Sequence, residues 1–111
     1  MQRATPFHWC IVDTATNQIT GTLGYYHGFA NNTGELGFVL LPQYQGKGYM
    51  SKAILLAVKF GLDTFGLSRV VAITTKQNHK AVQLLTRLNF IKATELEDDE
   101  VEYAYQTLVS W

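Results

Sequence analysis

Two glycines flank a lysine at Gly46-Lys47-Gly48, between an apolar run at 36–41 and a long amphipathic segment at 51–65. Glycine permits backbone geometry and close approach that a side chain would block, and the first amides of a helix lack helical partners and point outward. A strand that hands over to a helix through such a loop therefore makes an anion cradle, suited to a phosphate. Lys47 adds one charge without the planar fork of an arginine, which matches a flexible pyrophosphate. A lone Gly-x-Gly also occurs in ordinary strand-to-helix turns, so the context has to decide.

Two familiar phosphate loops fail against it. A P-loop requires Gly-Lys followed by Ser or Thr, with a second glycine five positions earlier; here Gly48 follows Lys47, and position 41 is Leu. A dinucleotide fingerprint requires a third glycine where Ser51 stands. Charge agrees with an anionic ligand. Nine basic and nine acidic residues cancel, yet every Lys and Arg except Arg3 falls in 36–92, against Asp63 as the one acid there, while Glu95, Glu97, Asp98, Asp99, Glu100 and Glu102 crowd a later turn. No basic run or interleaved aromatic platform accompanies these charges, so no nucleic-acid partner is expected. His8, His27 and His79 are scattered without metal-ligand spacing, and no metal is expected. Cys10 alone excludes a disulfide within the chain and sits in a strand-like segment, where a structural role is expected.

The elements that must hold the cradle follow from periodicity. Segment 7–13 is aromatic and β-branched, and 19–27 resumes after a turn with Ile19, Gly21, Leu23 and Tyr25 on one face, which predicts an antiparallel hairpin. Asn31-Asn32 and two glycines mark the next turn. A third strand at 35–41 alternates Leu36, Phe38 and Leu40 with Glu35, Gly37 and Val39, and Pro42 ends it. From Met50 the period becomes helical: Met50, Ala53, Ile54, Ala57, Val58, Gly61, Leu62 and Phe65 share a face, with Gly66 as the stop. Segment 69–74 is apolar without alternation, which predicts a strand covered on both faces and parallel to the third strand across a helical crossover. A second helix at 78–88 buries Ala81, Leu84, Leu85 and Leu88, and Asn89 suits its left-handed end. Strands at 90–94 and 101–108 close the sheet as a hairpin. With 111 residues, 47% apolar, this is one domain with a single core.

Gln45-x-x-Gly48-x-Met50, between a strand and a helix, resembles the Gln/Arg-x-x-Gly-x-Gly/Ala signature of the GNAT acetyltransferase superfamily. Asn78, Ala81 and Leu84, followed by Asn89-Phe90, resemble its Asn-x-x-Ala/Ser-x-x-Leu and Gly-Phe pattern, and Glu35-Leu36-Gly37-Phe38 looks most like the ribosomal-protein N-acetyltransferase branch. Met50 departs from the usual Gly or Ala, and Lys52 stands where that branch often has an acid. The resemblance spans 7–108 and implies an α/β (α+β) fold: a mixed, mostly antiparallel central sheet with helices on both sides.

It further implies acetyl-CoA as co-substrate and a primary amine as acceptor, a protein N-terminus or a small amine, attacking the thioester directly in a ternary complex. The third strand and the 70–74 strand would part beyond their paired ends, and unpaired backbone groups there would bond the pantetheine arm as a substitute strand. Val39, Leu40 and Leu41 are expected to make these contacts, one amide polarising the thioester carbonyl. Gln45, Gly46, Lys47, Gly48, Tyr49 and Met50 would hold the pyrophosphate, and Asn78 would bond the pantetheine arm or cap the second helix. Glu35 is the expected base, taking a proton from the ammonium through water; as a strand carboxylate it would equally clamp the acceptor. Where many members carry a tyrosine acid this chain has Leu85, and where some carry serine it has Ala81; Tyr49 and Ser51 are the nearby hydroxyls. A weak or inactive acetyl-CoA-binding domain and an interaction module are the alternatives.

Family members usually place a strand and two helices before the segment matched by 7–13, where this chain has six residues. The expectation is an N-terminally shortened member whose 7–13 strand is an exposed edge, covered by a homodimer. No run of transmembrane length and no signal-peptide pattern occur, so no membrane partner and a cytoplasmic location are expected.

Overall fold

A computed structural model describes residues 2–5, 7–46 and 48–106. Along the chain run β1 (Gln2–Thr5), β2 (His8–Asp13), β3 (Gln18–Tyr26), β4 (Thr33–Leu40), α1 (Tyr49–Asp63), β5 (Arg69–Thr75), α2 (His79–Arg87), β6 (Phe90–Glu95) and β7 (Glu100–Tyr105), with single 3₁₀ turns at Ala30–Asn32 and Pro42–Tyr44. The strands form one sheet in the order β1-β2-β3-β4-β5-β7-β6. Among the described residues only β4 and β5 pair in parallel, joined by α1 as the crossover; the other neighbouring pairs described are antiparallel. The mixed, mostly antiparallel sheet with two helices agrees with the architecture expected from the periodicities.

Alternation along each strand sorts the side chains. Register places Trp9 opposite Leu23, Tyr25 opposite Leu36, Leu36 opposite Ala72 and Ala72 opposite Tyr103. These residues share one sheet face and one core with Met50, Ala53, Ile54, Ala57 and Val58 of α1 and Leu85 of α2. Each buried Leu or Ile side chain there adds about 1.5–3 kcal/mol of transfer free energy. The helix stripes read from the sequence are therefore the buried ones.

Three differences have physical reasons. First, the helices were expected on both sides of the sheet, but among the described residues α1 and α2 lie on the same face. Their apolar stripes need an apolar surface, and the opposite face carries Thr22, Gly24, Glu35 and Gly37. Second, Ile19 is 56% exposed while Thr20 is fully buried. The β2–β3 register slips between Ile11 and Val12, and the Thr20 hydroxyl donates to the Ile11 carbonyl at 3.0 Å, so a bulge reverses the alternation at this end. Third, the segment expected as the exposed edge is covered: β1 pairs with β2 and is itself the edge strand on that side of the sheet.

The expected helix ends hold. Gly66 (φ +67°) follows α1, and Asn89 (φ +70°) follows α2 in the left-handed region. Residues 107 and 108 of the closing strand lie outside the described residues. Among the described residues no helix is long and apolar enough to cross a membrane.

Candidate active site

Pairing of β4 with β5 ends at Leu36 opposite Ala72, although β4 continues to Leu40 and β5 to Thr75. The two parallel strands therefore part, as expected. The ladder with β3 decides which backbone groups face the gap. Leu41 donates its amide to the Thr20 carbonyl at 2.8 Å, and antiparallel pairing alternates, so Val39 and Gly37 also turn their N–H and C=O toward β3. The groups of Phe38 and Leu40 point the other way, into the gap. Of Val39, Leu40 and Leu41, then, only Leu40 offers backbone groups there; Phe38 offers the second set and was missed.

The gap opens on a cleft of about 580 Å³ between the start of α1 and the face of α2. It is lined by Phe38 and Leu40 of β4, by Gln45, Gly46, Gly48, Met50 and Ser51 of the loop and α1, and by Asn78, Lys80, Ala81, Gln83, Leu84 and Arg87 of α2. Its size is that of a ligand site. Gly46 (φ +79°) and Gly48 (φ +82°) both use the left-handed region, and Gly48 is the N-cap residue of α1. Open space surrounds the position of a Cβ at either glycine, so the conformation, and not crowding, is what calls for glycine there.

Lys80 donates to Gln45 Oε1 at 3.3 Å and Arg87 donates to Ser51 Oγ at 3.3 Å, so two cations of α2 reach across to the loop and to α1. No Asp or Glu is among the lining residues. The cleft is thus electropositive, with exposed helix amides at one end. Seven residues apart on α2, Lys80 and Arg87 share a face outside its buried stripe, and the placement of α1 beside α2 turns that face into a wall.

Other expected residues fall elsewhere. Lys47 lies outside the described residues. Tyr49 donates its hydroxyl to the Asp13 carboxylate and meets Tyr44 edge to face, so its ring is turned from the cleft; partial desolvation, and then Asp13, push its phenol above the usual value. Ser51 is the expected hydroxyl that does line the cleft. Asn78 caps α2, accepting the Ala81 amide at 3.2 Å, and lines the cleft as well. Leu85 is 1% exposed and belongs to the core. Glu35 lies on the sheet face away from the helices, one position before the last β4–β5 pair, with His27 Nε2 at 3.8 Å from its carboxylate.

A parallel strand pair thus parts over a cationic cleft, beside a glycine loop that opens a helix. The chain belongs to the GNAT acetyltransferase family: residues 1–91 match the acetyltransferase (GNAT) domain. It is 29% identical over 107 residues to the uncharacterized N-acetyltransferase YoaA of Bacillus subtilis (strain 168), covering 95% of this chain and 58% of that protein. Spermidine N(1)-acetyltransferase of Escherichia coli (strain K12) is 34% identical over 62 residues, which is 56% of this chain and 33% of the relative. Among solved structures, ribosomal-protein-S5-alanine acetyltransferase from Vibrio fischeri superposes with a TM-score of 0.77 at 27% identity, over 88% of this chain and 60% of that one. The chain spans about half the length of the curated relatives it matches, 58% and 51% for the first two.

Proposed function

We propose that the protein transfers the acetyl group of acetyl-CoA to a primary amine. The observation that carries this reading is the parting of β4 from β5 above a cleft that is cationic, free of lining carboxylates and closed by two left-handed glycines. Phe38 and Leu40 would bond the pantetheine amides. Gly46, Gly48 and the first turn of α1 would take the diphosphate, with Lys80 and Arg87 releasing Gln45 and Ser51 to meet it. The thioester would then lie in the gap, within reach of the opposite face, where Glu35 stands.

Glu35 would accept a proton from the ammonium through water, the amine nitrogen would bond the thioester carbon, and the carbon–sulfur bond would break. The departing thiolate would take the second nitrogen proton, relayed by water or by the Ser51 hydroxyl, which leaves a neutral amide and a free thiol. Holding the two reactants together contributes roughly 7–11 kcal/mol and a positioned acid about a hundred- to ten-thousandfold, so a chain without the tyrosine acid is expected to be slow and still active. The acceptor includes a protein N-terminus or a small amine.

The test is coenzyme A binding by calorimetry, followed by thiol release with acetyl-CoA and a panel of amines. Saturating coenzyme A, at about a hundred times its dissociation constant, should add about 2.7 kcal/mol of stability. Glu35→Gln should lower kcat about a hundredfold or more while leaving coenzyme A affinity in place. Silence at millimolar coenzyme A would remove the reading. Binding without thiol release would favour a second one, an acetyl-CoA-binding domain without turnover, which the burial of Leu85 and Ala81 at the acid positions supports.

A further inference from the structure

The sheet face turned from the helices carries an arrangement that the cleft leaves unused. Gly24 of β3 and Gly37 of β4 stand directly opposite each other, so the sheet has a shallow trough there. Two rings fill it: a Cβ at Gly24 would collide with the His8 imidazole, and one at Gly37 with the Tyr26 ring. The rings meet edge to face with centroids 4.8 Å apart, and Tyr26 remains 39% exposed. Glycine inside a strand marks a close approach, and here the approaching groups are aromatic.

The shelf adjoins the reactive end of the gap. Gly37 is the first residue of β4 beyond its last β5 partner, and Tyr26 is the direct cross-strand neighbour of Glu35. Opposed side chains in an antiparallel pair start about 4.5–5.5 Å apart at Cβ. A π face and a carboxylate therefore lie side by side where the strands part, and what both attract is a cation. His27 already sits near the carboxylate at 3.8 Å, but its side chain is 78% exposed, so an incoming ammonium can displace it. The arginine nearest in register, Arg69, is engaged by Glu102 at 3.1 Å.

We propose that Tyr26 is a specificity-determining residue whose outward ring face, seated over Gly37 beside Glu35, receives the acceptor as an alkylammonium ion. This rests on the acyl-transfer reading above. The ammonium gives one proton to the Glu35 carboxylate through water, the freed nitrogen lone pair forms the new bond to the acyl carbon, and the second nitrogen proton passes to the thiolate as the carbon–sulfur bond breaks. Amines that are cations at neutral pH are selected over arylamines, which are not.

Titration with tetramethylammonium and with butylamine, followed by the ring-current shift of the ligand methyl signals, tests this with and without coenzyme A. A saturable upfield shift is expected. Tyr26→Phe should keep it, and Tyr26→Leu should weaken binding about three- to tenfold. Gly37→Ala, which displaces the ring without removing it, should weaken it in the same direction. The KM for butylamine should rise with these losses while coenzyme A affinity stays put. No saturable shift, or equal binding by Tyr26→Leu, would overturn the subsite. Ammonium binding without coenzyme A binding would instead sink the acyl-transfer reading and leave the ammonium site standing.

Discussion

Tyr25 donates its hydroxyl to the Ala57 carbonyl at 2.6 Å, a buried bond that ties β3 to α1. Burial raises the phenol well above its usual pKa, so it stays a donor at all ordinary pH. Gly61, one turn further along α1, makes the room: a Cβ there would collide with the Tyr25 hydroxyl. Tyr25→Phe should cost about 1–2 kcal/mol in urea unfolding. Gly61→Ala in an open helix would gain about 1 kcal/mol, whereas here it should destabilise, because the clash breaks the bond. A stabilised Gly61→Ala protein would disprove this role for Gly61.

Asn78 caps α2 and also lines the cleft, and two variants separate the cap from the proposed contact with coenzyme A. As the cap of α2 it needs only a side-chain oxygen, since it accepts the Ala81 amide. Asn78→Ala should therefore lose about 1 kcal/mol of stability. Asn78→Asp should keep that stability yet lose coenzyme A affinity, because it lacks the amide donor and brings a negative charge into the cleft. Equal affinity in Asn78→Asp would confine Asn78 to capping.

Gly48 is constrained by its backbone alone. Gly48→Ala meets no neighbour but must hold φ near +82°, which costs roughly 1–2 kcal/mol. Gly48→Glu pays the same strain and sets a carboxylate where the diphosphate is proposed to bind. Calorimetry should show a modest loss of coenzyme A affinity for the first and no detectable binding for the second. Unchanged uptake by Gly48→Glu would place the ligand elsewhere.

Glu95 accepts from Lys92 at 2.7 Å and faces Lys76 at 3.3 Å. These ammoniums, Lys92 first, hold its carboxyl below the ordinary range. A depressed carboxyl stabilises the fold above its unfolded pKa of about 4.3, and that contribution is lost as pH falls through the lower folded value. Glu95→Gln should flatten the stability curve in that acid window only. Because the group is exposed, 1 M salt should shrink the difference between the two proteins. A difference that survived salt would point to another cause.

Much of the arrangement was legible because burial is periodic. Leu36, Phe38 and Leu40 alternate with Glu35, Gly37 and Val39 in the sequence, and the structure places the two sets on opposite faces. The stripes of α1 and α2 were legible for the same reason. Gly46 and Gly48 came from the glycine loop, and Gln45, Met50 and Asn78 from the family resemblance; all five line one cleft. Ile19 was not, since one extra residue at Thr20 inverts a period of two. Nor was β1, whose Gln2-Arg3-Ala4-Thr5 lacks any alternation. Phe38 escaped because the direction of a strand's amides depends on its ladder register, here set by the Leu41 bond to Thr20, and side-chain type says nothing of it. Lys80 and Arg87 escaped because a pattern of wet and dry positions does not say which other element a wet face meets.

The parallel pairing of β4 with β5 covers four residue pairs, and on either side of it the strands are antiparallel. Two leaves are thus stitched along one short seam, already unpicked at one end. A ligand lodged in that opening would act as a clasp, slowing deuterium uptake on both leaves at once and converting a local flaw in the ladder into the feature that couples occupancy to cohesion of the whole sheet.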